Sequence, residues 1–149
     1  MITFIGITVF ILGSICWIGQ TLVVFSPRTA IKLGLSEPED EVNAEMYLFE
    51  RLSQGIMDVL LTWILPAAAL LMLLGNPSWP LFALVGGGIY LYFPGVFMIT
   101  RVVLKRHGKQ VGRPASVLFA YVLGTLWTLS AVTMITLAVV ELSSVSVRY

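Results

Sequence analysis

The chain has one cysteine and one histidine in 149 residues, and only 11% of its residues are charged. Each scarcity removes a class of chemistry. A single thiol, Cys16, allows no intramolecular disulfide, no CxxC redox pair and no thiolate zinc cluster. His107 alone cannot supply a bis-histidine haem or a histidine-rich metal centre, so no metal site is expected. No N-x-S/T acceptor occurs, since Asn43 lacks the hydroxyl partner and Asn76 is followed by Pro77. Gly86, Gly87 and Gly88 sit in an apolar run without the G-x-x-x-x-G-K spacing, which excludes a phosphate loop. The formal net charge of +1 carries no nucleic-acid signal, and no nucleic-acid partner is expected.

What the chain has instead is apolar length. With 58% hydrophobic residues and a mean hydropathy of +0.93, it reads as a single integral membrane domain spanning 1–149. Four stretches can cross about 30 Å of hydrocarbon: residues 2–25, 54–74, 81–100 and 115–140. The first lacks a basic start and an A-x-A-like cleavage site and reads as a retained span. The expected fold is all-α, a four-transmembrane-helix antiparallel bundle embedded in a lipid bilayer.

The connections are uneven. Residues 26–53 form a long loop with short helices: Ser26-Pro27 opens one that Gly34 stops, and Ser36 with Glu39 has the spacing of a capping box. GNPSWP, residues 75–80, is a tight turn, and residues 101–114 form a basic loop. Arg28, Lys32, Arg51, Arg101, Lys105, Arg106, Lys109 and Arg113 fall in the two long loops, against Arg148 alone on the other side. This bias predicts a multi-pass cell-membrane protein with both long loops cytoplasmic and both termini extracytoplasmic.

Polar groups recur at one depth. Glu50, Arg51, Gln54 and Asp58 share a helical arc of roughly 100° that runs into the second span. A carboxylate inside a span costs about 2.5–3.5 kcal/mol on insertion scales, so Asp58 should turn inward. One reading makes it an ion pair with Arg101 that fixes helices two and three, and another gives it a functional role. Gln20, Asp58, Arg101 and Tyr121 fall in a layer roughly 10 Å beneath the cytoplasmic surface, with Trp17, Trp63 and Trp127 at roughly 12–18 Å. A polar pocket over an aromatic floor is the expected ligand-binding site, comprising Gln20, Glu50, Arg51, Gln54, Asp58, Arg101, Tyr121, Trp17, Trp63 and Trp127. Ser116, Ala120, Gly124 and Thr128 form a ladder of small residues, suited to close approach of another helix from within the chain or from a partner or second copy.

The Phe49-Glu50-Arg51 run opening helix two, with Asp58 eight positions after Glu50 and Pro66 beyond it, resembles the MAPEG superfamily, the membrane proteins of eicosanoid and glutathione metabolism. The resemblance covers about 30 residues. It implies a trimer of four-span subunits binding glutathione between neighbours near the cytoplasmic end. Of the family's glutathione-contacting basic residues it places only Arg51. The family's A-x-x-N pattern is absent, Gln54-Gly55 being followed by Ile56-Met57.

Three functions follow as expectations. The first is a protein without catalytic residues or cofactor, whose cytoplasmic pocket holds a lipid or small amphipathic molecule, or whose bundle joins a membrane assembly. It rests on the lack of any nucleophile–base pair: Cys16 lies inside span one and His107 in a basic surface loop. The second is a MAPEG-like glutathione-dependent transferase or isomerase with Arg51 and Arg101 clamping the thiol cofactor. The third is a small proton- or cation-coupled transporter using Asp58, with Pro66 and Pro94 as bends.

Overall fold

A computed structural model describes residues 2–146, and Arg148 of the charge count lies outside them. Its four long helices are each apolar and long enough to cross a membrane. Helix α1 spans Ile2–Phe25 and is followed by the short α2, Pro27–Lys32, with Pro27 at its first turn. Gly34 then takes φ +70°, a left-handed conformation that ends the element. A 3₁₀ turn covers Glu39–Glu41, and α3 runs over Ala44–Leu73. Helix α4 spans Trp79–Arg106 and α5 spans Pro114–Ser146.

Several boundaries differ from expectation, α5 also running on to Ser146 rather than ending at 140. The cap of α3 is Asn43, whose Oδ1 accepts from the Met46 amide, while the Ser36 hydroxyl donates only to the Glu37 carbonyl. The capping box is thus unused, because the intervening residues fold as an extended segment and a 3₁₀ turn. Helix α4 also runs past residue 100 to Arg106, so the basic connection shrinks to residues 107–113. Leucine, lysine and arginine are good helix formers, and Val103, Leu104, Lys105 and Arg106 simply prolong the helix.

Contacts between helices fix their directions. Going from Trp17 to Gly13 to Gly6 along α1, the partners on α3 advance from Val59 to Pro66 to Met72 and Leu73. Along α4, Gly86 meets Leu65, Tyr90 meets Thr62 and Arg101 meets Glu50. Between α4 and α5 the pairs are Gly87 with Ile135, Phe93 with Trp127 and Met98 with Gly124. Each sequence-adjacent long pair is therefore antiparallel. The small residues allow it: a Cβ on Gly13 would sit 2.8 Å from Pro66 Cδ, and one on Gly86 would sit 2.7 Å from the Leu65 backbone nitrogen. The helices thus pack through backbone-close contacts at small residues.

Candidate functional site

Helix α3 is not regular where it matters. Phe49–Gln54 form a π-helical turn, continued by α-helix over Gly55–Leu61 and, after a break at Thr62 and Trp63, over Ile64–Leu73. Gly55 permits the wide turn, since a Cβ there would approach the Glu50 carbonyl oxygen to 2.7 Å and Val24 Cγ2 to 3.0 Å. Inserted turns of this kind gather at functional sites because they redirect side chains within a continuing helix. Here Glu50, Arg51 and Gln54, all on the turn, face one cavity.

That cavity, of about 100 Å³, lies at the end of the bundle where α1 finishes and α5 begins. Gln20, Glu50, Arg51, Gln54, Asp58, Arg101 and Trp127 line it. Phe93, Phe97 and Leu123 give it an apolar floor, with ring centroids of Phe93 and Trp127 5.7 Å apart. Gly34, Leu35, Ser36 and Glu37 close it from the loop side. A second set of contacts holds that loop down. Val42 bridges to Val111, the Asn43 amide donates to the Gln110 carbonyl at 2.9 Å, and Arg113 pairs with Glu41. Val42, Met46 and Val111 make a small apolar core beneath this clasp. The Glu41 carboxylate accepting from Arg113 also raises the arginine's pKa above its ordinary value.

Three expected members lie elsewhere. Trp17 and Trp63 are 41% and 42% exposed and line no part of the cavity; their indole N–H groups donate to the Val59 and Leu60 carbonyls. They point outward, since a residue's place along a helix says nothing of rotation about it. Tyr121 is half-buried on α5 and off the cavity wall. Of the small-residue ladder, Ser116 and Ala120 line the cavity and Gly124 packs against Met98 of α4, where an added Cβ would lie 3.0 Å from Sδ. Thr128 donates its hydroxyl to the Gly124 carbonyl. Much of this ladder is thus occupied within the chain.

The ion pair is also different. Arg101, only 2% exposed, forks onto Glu50, with Nη1 on Oε1 and Nη2 3.1 Å from Oε2; Glu37 Oε2 lies 3.7 Å from Nη2. Its guanidinium stacks over Phe97 at 4.0 Å. Asp58 is buried, as expected, but Arg101 is not its partner. The π turn and the extension of α4 bring Glu50 level with the guanidinium, and a bidentate carboxylate occupies it. Phe97 could have been found from the sequence, lying four residues before Arg101 on the same helical face. Glu37 had no such signal, because a non-helical loop carries it across.

The groups left over define what the cavity can do. Among the described residues Asp58, 7% exposed, has neither hydrogen bond nor ion pair from its side chain. Gln54 Oε1 and Nε2 are both buried without a partner, as are Arg51 Nε and Arg101 Nε. Arg51 has no acidic partner there and lies 5.9 Å from the Tyr47 ring centroid. Leaving a buried polar atom unmet costs about 1–3 kcal/mol, so several converging on one space call for a polar occupant. Cys16 lines the same wall, whereas His107 is exposed with Nδ1 2.9 Å from the Val103 carbonyl, and the two do not meet. No group of three His, Cys, Asp or Glu side chains among the described residues could hold a metal ion.

Compared with protein-family models, with curated proteins and with solved structures, the chain finds no match.

Proposed function

We propose that the chain is a four-span protein of the cell membrane whose cavity binds the polar head of a lipid or other small amphipathic molecule. The observation that carries this is Gln54: an amide buried at both ends with no partner, facing a cavity beside the unpaired Asp58 and Arg51. A head able to donate and accept would satisfy these groups, and Phe93, Phe97 and Trp127 offer surface to the start of an apolar tail. The Lys/Arg distribution supports placing residues 26–43 and 107–113, and hence the cavity mouth, on the cytoplasmic side. Gln54→Leu tests the reading. Removing an unmet amide should raise the thermal midpoint of the ligand-free protein while abolishing the further rise that bound amphiphile gives. Failure of every added amphiphile to raise the wild-type midpoint, with a destabilised Gln54→Leu, would sink it.

The transferase reading keeps one specific support, the uncompensated Arg51 in the cavity wall. It loses the clamp with Arg101, which Glu50 and Glu37 already occupy. Glutathione conjugation that disappears in Arg51→Ala would promote it over lipid binding. The transporter reading retains Asp58 as its carrier group and would need uptake into vesicles that Asp58→Asn abolishes.

A further inference from the structure

Asp58 and Gln54 have a second aspect. On the other side of α3 they reach a groove of about 550 Å³ that runs between α3 and α4 and also takes in Phe93. Met57, Val85, Gly88 and Tyr92 wall this groove, and Tyr92 is 74% exposed, so its open side faces outward from the bundle at the depth of the spans. The same three residues, Gln54, Asp58 and Phe93, line the inner cavity. Two spaces thus share one wall, and the polar part of that wall is unpartnered.

Charge narrows what would sit there. The inner cavity is lined by three carboxylates, Glu37, Glu50 and Asp58, and two guanidiniums, Arg51 and Arg101. Arg101 is engaged by Glu50 and Glu37, and Arg51 makes no salt bridge to Asp58, so the lining carries one carboxylate in excess and Asp58 has no cation within 4 Å among the described residues. Nearby, the rings of Phe93 and Trp127 offer electron-rich faces of the sort that hold alkylammonium groups. An anionic head would be repelled by Asp58 and a neutral donor would hydrogen-bond it without balancing its charge; a cationic head also offsets the excess carboxylate.

From this we infer that the site takes a single-chain amphiphile with a monocationic ammonium head drawn laterally from the bilayer, its head against Asp58 and Phe93, which line both spaces, and its chain in the α3–α4 groove. The inference rests on the cavity being a ligand site and adds the charge of the head and the side from which it arrives. The groove volume falls within the usual range for small-molecule sites, about 300–1,000 Å³.

Gly88 offers a clean test of the groove. A Cβ there would meet nothing within 4 Å and Gly88 lines the groove, so Gly88→Leu puts a side chain into groove space. Gly95, also on α4 with nothing within 4 Å of its Cβ and lining neither space, is the control. Protein in zwitterionic nanodiscs would be titrated with dodecyltrimethylammonium, dodecyl maltoside and dodecyl sulfate below their micellar concentrations, with bound ligand counted by native mass spectrometry. The ammonium probe should bind best, weaken about tenfold in Asp58→Asn, weaken about tenfold in Gly88→Leu and stay unchanged in Gly95→Leu. Equal binding of all three probes, still lost in Gln54→Leu, would overturn the cationic head while leaving the cavity as a ligand site. Equal weakening in Gly88→Leu and Gly95→Leu, or none in either, would overturn the lateral groove. Binding of no probe, with Gln54→Leu without effect, would remove the ligand site itself.

Discussion

The Tyr90 hydroxyl of α4 lies 2.9 Å from the Thr62 carbonyl oxygen of α3, the acceptor that Pro66 leaves without a helical donor. Proline has no N–H to return to the carbonyl four residues earlier, and its ring forces the break seen at Thr62 and Trp63. A buried carbonyl left unmet is costly, and a tyrosine from the neighbouring helix meets it. The same hydroxyl is 3.1 Å from the Gly13 carbonyl, so three helices converge on one side chain.

Tyr90→Phe should therefore destabilise the protein by about 1–3 kcal/mol, the range for a buried group left unsatisfied. The penalty should shrink in a Pro66→Ala background, where residue 66 regains its own N–H. A double-mutant cycle by reversible unfolding in detergent measures the coupling, and strictly additive effects would refute the link between Tyr90 and Pro66.

Arg101→Leu should cost about 3–5 kcal/mol, because it strands Glu50 in a buried site. Adding Glu50→Leu should recover part of that loss, since it removes the Glu50 charge and leaves only Glu37 without its cation. Asp58→Leu should leave the Arg101 pair intact and be mild or stabilising. Unfolding midpoints of the three variants decide this, and a large loss from Asp58→Leu would mean that the carboxylate has a partner beyond those described.

Two glycines on α4 should respond in opposite directions to the same change. Gly86→Ala pushes a methyl into the Leu65 backbone and should destabilise, whereas Gly95→Ala meets open space and should stabilise by about 0.5–1 kcal/mol through helix propensity. Thermal midpoints of the two variants suffice, and a stable Gly86→Ala would argue that α3 and α4 can separate without penalty.

Topology is open to labelling, because the one native thiol, Cys16, is buried. A cysteine at Lys109 should react only from the cytoplasmic side and one at Ser78 only from the opposite side. The reverse pattern would invert the orientation and move the cavity mouth to the outer face.

Some of these features could be read from residue order alone, and others could not. The first span over Ile2–Phe25, the short helix after Ser26, the turn at Gly75 and the burial of Asp58 follow from local rules: apolar length, proline and glycine positions, and the cost of a carboxylate in lipid. These rules act within a few residues of one another, so the chain states them directly. Rotation of helices and choice of partners do not follow. Helix α1 is apolar almost all round, so nothing local says that Trp17 faces out while Gly13 and Cys16 face in; contact with Pro66 and Tyr90 settles it. Likewise the residue order shows that Arg101 needs an acid and offers Asp58 for it, with no sign of Glu50 or Glu37. Only the π turn in α3, the extra turns of α4 and the loop folded back over the cavity decide that Glu50 and Glu37 take it. Asp58 is left unpaired because a buried charge pairs with whichever opposite charge the assembled helices bring within reach, and that distance is a property of the tertiary structure alone.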